Sequence, residues 1–153
     1  MFDEKVSLFP GNCVRLKQQV LDALQKEHGV IMAQVKEQEE YLAGLEADYR
    51  DMDAEFCQRK LEGIAILDAM RYEQYLRAME RQIQQAVYRL EELRRQEEAK
   101  RLEVVAAKQD TSSIEKLKEK KLDSYNKAVQ KSEEAMIDEF VSTTRAMAAL
   151  QGA

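Results

Sequence analysis

Tryptophan is absent from this sequence, proline occurs once and glycine only five times in 153 residues. So few chain breakers exclude a domain of many turns around a large globular core. The single histidine, His28, has no second imidazole with which to hold a metal and no Cys-Asp arrangement around it for a nucleophilic triad. No run approaches the ~18 to 20 apolar residues of a membrane span. Runs such as Ile64 to Leu67 are far shorter, so direct membrane insertion is not expected. The first residues, Met1-Phe2-Asp3-Glu4-Lys5, lack the basic and apolar blocks of a secretory signal. Cys13 and Cys57 would lie ~65 Å apart on one helix, too far to bridge. They are expected as buried or half-buried thiols in a reducing compartment, the cytoplasm.

Catalytic signatures are missing as well. There is no Gly-rich phosphate loop, HExxH, CxxC or GxSxG. Glu39-Glu40 and Glu133-Glu134 are paired carboxylates, but helix neighbours point to different faces. The reading is therefore a non-enzyme with no catalytic residue, cofactor or metal. With net charge −5 and pI near 5.1, the chain lacks the basic footprint of a nucleic-acid binder.

What is abundant is charge, 35% of residues with both signs interleaved, together with the helix formers Ala, Glu, Lys, Leu, Arg and Gln. This composition predicts a long solvated helix rather than a compact body. From Val14, positions 14, 17, 21, 24, 28, 31, 35, 38, 42, 45, 49, 52 and 56 keep steps of three and four. Ten of the thirteen are apolar; Lys17, His28 and Gln38 are the exceptions. A heptad seam this long specifies a coiled-coil partner, and its polar members help to set register.

A second seam runs through Tyr72, Leu76, Met79, Ile83, Ala86, Leu90 and Leu93, and weakens at Glu97 and Lys100. Between the seams, Gly63 can take the left-handed conformation that ends a helix, and Asp68 can cap the next. The predicted fold is all-α: a long antiparallel two-helix coiled coil, or α-hairpin, with a single-helix C-terminal overhang. Its expected divisions are a flexible tail over 1–12 ahead of a helix capped by Asn12 after Pro10-Gly11, a hairpin over 13–147 turning near 62–68, and frayed residues 148–153. A helix break at 109–113 is weaker than a continuous helix there. Val14 should sit near residue 112, so the helix beyond that point lacks a partner over ~50 Å.

Large apolar residues off the seams are candidate contact points: Tyr41, Tyr75, Tyr88, Phe140 and Met147. About half of them are expected to flank and cover the seams instead. Tyr75 beside Met79, near the turn, is the best candidate surface, since aromatics are enriched among interface anchors. The overhang carries Lys116, Lys118, Lys120 and Lys121, then Tyr125, then Met136-Ile137-Asp138-Glu139-Phe140. Its apolar residues need a cover, either residues 1 to 13 or a partner.

This organisation resembles the FliJ family, the small coiled-coil component of the bacterial flagellar protein-export apparatus. The resemblance spans nearly the whole chain. It rests on Gly63-Ile64-Ala65 with Tyr72-Glu73-Gln74-Tyr75-Leu76 and Glu80-Arg81-Gln82-Ile83 after it, and on the run Lys116 to Phe140. It implies a central stalk, similar to the γ subunit of rotary ATPases, that enters the hexameric export ATPase. The stalk would link that ring to the export gate at the membrane, where the chain would be peripherally associated on the cytoplasmic face, and would also escort export chaperones. On that resemblance Lys116, Lys118, Lys120, Lys121, Tyr125, Asp138, Glu139 and Phe140 would meet the ATPase ring. Gln38, Leu42, Leu45, Tyr49, Tyr75 and Met79 would meet the gate. A stalk protein of a virulence type III secretion system, or a structural homodimer, shares the same features. A prefoldin-like chaperone would need strands between its helices, and residues 63 to 68 are too few.

Overall fold

The computed structural model describes residues 2–152, with side chains from Gly11 onward. Two helices make up the described chain: α1, Phe2–Glu62, and α2, Ile66–Gln151, with no strand among the described residues. The fold is the expected all-α pair of long helices packed against each other.

α1 ends because Gly63 adopts φ +96°, the left-handed conformation that glycine reaches without a Cβ penalty. α2 then starts sooner than Asp68 suggested. The Ala65 carbonyl already accepts from the Ala69 N–H at 3.0 Å. Asp68 therefore lies in the first turn rather than at the cap, where its charge opposes the positive helix end and Arg71 approaches at 3.9 Å. α2 passes through 109–113 unbroken.

Both helices run through residues expected at their margins. α1 takes in Pro10-Gly11 instead of beginning near Asn12. Proline's fixed φ is helical, so it costs one donor and crowds one turn without dictating a stop. The side chains of residues 1–10 lie outside the described residues, and so does any covering role for them. At the other end, 148–151 is helical, and the Gly152 N–H continues the pattern to the Ala148 carbonyl at 3.1 Å.

The chain divides into two units, Val20–Ala107 and the pair Met1–Gln19 with Lys108–Ala153. In the first, the α1 and α2 segments run antiparallel, because partners rise in number on one helix as they fall on the other. Tyr72 reaches Glu55, Tyr49 reaches Glu80, Arg94 reaches Glu39 and Lys100 reaches Glu27. Its buried apolar residues are Leu21, Phe56, Leu76, Met79, Ala86, Leu90, Leu93 and Val104. Fully burying each large side chain of this kind contributes about 1.5–3 kcal/mol.

All thirteen α1 seam positions are buried or half-buried. The α2 seam does not fade at Glu97. It continues through Glu97, Lys100, Val104, Ala107, Thr111 and Ile114, all buried or half-buried. His28 and Glu97 meet across it at 2.7 Å, and Lys100 reaches Glu27 at 2.8 Å and Glu103 at 3.0 Å. In the second unit, Lys17 lies 3.6 Å from Asp110 and Thr111 is buried. Every residue from Glu115 to Gly152 is exposed. Cys13 is half-buried, but Cys57 is exposed, since it comes one residue after the seam residue Phe56 and so turns ~100° away.

Candidate functional site

Of the six residues expected to meet a gate, five are already engaged in the hairpin seam. Met79 is buried, and Leu42 and Leu45 are half-buried. Gln38 donates to the Ala86 carbonyl at 3.1 Å, and the Tyr49 hydroxyl donates to Glu80 at 2.9 Å. That bond, with burial and the charges of Glu80 and Asp53 adding to it, raises the Tyr49 pKa. Only Tyr75 presents its ring outward, 53% exposed. Of the six, Tyr75 is thus the most accessible, and four of the others keep part of their surface at the edge of the seam.

Around Tyr75 lies a shallow open groove lined by Met52, Arg59, Asp68, Arg71 and Tyr72. Its Tyr72 belongs to an aromatic stack. Phe56 and Tyr72 stack with centroids 5.1 Å apart and planes 13° from parallel. Arg59 lies over the Tyr72 ring at 5.7 Å and Lys60 over the Phe56 ring at 3.8 Å, contacts worth about 0.5–1 kcal/mol each at exposed sites. Burial raises the Tyr72 pKa, and the Arg59 charge opposes that shift. Arg59 and Lys60 were not singled out in the sequence. Their spacing from Phe56, three and four residues, was the available signal.

The eight residues expected at an ATPase ring are all exposed, on one uninterrupted stretch of α2. Phe140 is 73% exposed. Tyr41, Tyr75, Tyr88, Phe140 and Met147 are likewise all exposed. Each is more than half exposed, and Tyr41 and Tyr75 sit beside seam residues at the surface.

Among the described residues, no group of three His, Cys, Asp or Glu could hold a metal ion. His28 is occupied by Glu97. No helix among the described residues is long and apolar enough to cross a membrane. What the surface offers is recognition by exposed aromatic, apolar and charged side chains on rigid helix.

A family profile described as "Flagellar FliJ protein" matches residues 12–148. The chain belongs to the FliJ family. It is therefore placed with the flagellar protein-export apparatus, as the resemblance of its turn, of the start of its second helix and of its Lys116 to Phe140 run implied. No curated protein and no solved structure matches it. The FliJ match takes in more than the paired seams, since it continues past Ile114 through Phe140 and Met147. The exposed stretch is thus part of what makes this a FliJ-family chain. Residues 1–11 fall outside the match.

Proposed function

We propose that this FliJ-family chain is a cytoplasmic stalk of the flagellar export apparatus, peripheral to the membrane, whose residues 114–147 engage the hexameric export ATPase. One observation supports the reading most. From Glu115 to Gly152 a continuous helix keeps Leu117, Leu122, Val129, Met136 and Phe140 in water, which is costly unless a partner covers them. A helix is slender enough to enter the axial hole of a ring. Lys116, Lys118, Lys120, Lys121, Tyr125, Asp138, Glu139 and Phe140 supply a contact of mixed charge, which favours orientation and fast association over permanent burial. Hydrolysis would belong to the ring, and this chain would act by fitting it.

The turn end, with Tyr75 at its centre, would meet the export gate, and Gln38, Leu42, Leu45, Tyr49 and Met79 would hold that end in shape from within the seam. Tyr75→Ala should weaken gate binding without changing helicity or melting, and equal loss of both would assign Tyr75 to packing. Export chaperones would be escorted by the same exposed surfaces. The decisive experiment is truncation after Ser113. The truncated chain should stay helical yet fail to stimulate the purified ATPase or promote its ring. Full stimulation by the truncated chain would move the ring contact to the turn end.

A further inference from the structure

The exposed stretch of α2 carries a second order besides its exposure. Leu122, Val129 and Met136 recur at intervals of seven, and Phe140 and Met147 extend the series at four and seven. At 3.6 residues per turn they fall within one narrow arc, the pattern of a two-stranded seam. Leu122 is 59% exposed, Met136 69% and Met147 63%.

Charge along this stretch is divided by position. Residues 115–131 hold six lysines and three acids, net +3. Residues 132–152 hold four acids and one arginine, net −3. Among the described residues, the stretch makes one ion pair, Lys127 with Asp123 at 3.1 Å. Lys116, Lys118, Lys120, Lys121, Asp138 and Glu139 stand outside any ion pair there.

A helix with an apolar seam, a basic first half and an acidic second half is complementary to itself when reversed. We infer that residues 115–152 also form an antiparallel pair with the same stretch of a second copy of this chain. A pivot at Val129 sets Leu122 opposite the copy's Met136 and brings Lys121, beside the seam, close to the copy's Glu139. Parallel pairing would instead lay basic half on basic half, which charged positions flanking a coiled-coil seam select against. The inference goes beyond the ring-binding reading and does not depend on it. If both hold, the pair and the ring compete for one surface, and a chain outside the apparatus keeps its apolar seam covered.

The test is the mass of the full chain by light scattering and sedimentation over a range of concentrations, with helicity monitored in parallel. Wild type should approach twice 17.7 kDa as concentration rises. Lys118→Glu with Lys121→Glu, on or beside the seam, makes both halves acidic, and Glu133→Lys with Glu139→Lys makes both basic. Each variant alone should dimerise at least tenfold more weakly, and an equimolar mixture should recover the dimer. With Cys13 and Cys57 changed to Ser, oxidation of Leu122→Cys mixed with Met136→Cys should yield the 122–136 disulfide rather than 122–122. A wild-type chain that stays monomeric throughout overturns the inference. So do charge variants that dimerise as wild type does, a mixture that fails to recover, or a dominant 122–122 product.

Discussion

Phe56 and Phe140 are the same side chain on the same kind of helix, and one is 3% exposed while the other is 73% exposed. Met79 and Met136 repeat the contrast at 6% and 69%. Both regions keep apolar residues at coiled-coil spacing, by threes and fours in one and mostly by sevens in the other, so helical periodicity alone does not separate them. What separates them is a second helix. Between 20 and 107 the seam of α1 meets the seam of α2, whereas from Glu115 onward α2 presents its seam outward. In this chain, a residue's place opposite or beyond a partner decides whether it stabilises the fold or remains free for recognition.

The sharpest way to break that comparison is to truncate the two phenylalanines. Phe56→Ala should cost about 3–5 kcal/mol, because it empties a packed site and removes the stack on Tyr72. Phe140→Ala should change stability by less than about 0.5 kcal/mol, as a surface substitution does, while reducing stimulation of the export ATPase. Urea unfolding of both variants beside an ATPase assay checks this. Similar losses of stability would show that the exposed stretch is packed in solution.

A smaller effect is expected inside the paired region, at the His28–Glu97 contact of 2.7 Å. Removing either partner alone strands a partly buried polar group at a cost of about 1–3 kcal/mol. The double variant should cost less than the two singles together, by a coupling of about 0.5 kcal/mol or more, the order found for contacting residues. Strict additivity in thermal melts would mean that the two groups do not interact.

The α1 seam was legible at each of its thirteen positions, because register in a coiled coil is written into one helix. The later α2 seam was not. Glu97 and Lys100 look like an ending when scored by their own polarity, yet each is half-buried against a partner on α1, His28 and Glu27. That complementarity belongs to the pair of helices and is invisible in either one alone. At the turn-end surface, Gln38, Leu42, Leu45, Tyr49 and Met79 were legible as seam positions, and the paired structure adds how far each is covered, Met79 buried and the other four half-buried. The exposed stretch was legible because it needs only a length difference between helices. Cys57 and the helix through Pro10-Gly11 were misjudged from residue type, where seam phase and neighbouring helix decided.

The smallest expected effect is one of pH. Arg101 donates twice to Glu98, at 2.8 and 2.6 Å, and those bonds hold the Glu98 carboxyl below its ordinary 4.5. A carboxyl lowered in the folded state adds stability above its unfolded pKa, and that stability is lost as pH falls through the folded pKa. The melting temperature should therefore decline slightly below pH 4.5. Glu98→Gln should flatten that decline by a small amount, since the pair is exposed. Because Glu98 lies in the paired region, the effect should survive truncation after Ser113, and its loss on truncation would couple the two regions.

Amide hydrogen exchange of the full chain, with and without the hexameric export ATPase, tests the division between the two regions most directly. Amides of 20–107 should be protected in both states, and those of 116–150 should exchange faster in the free chain, at concentrations low enough to keep it monomeric, and gain protection when the ATPase is added. New protection confined to the turn end around Tyr75, with none in 116–150, would contradict it.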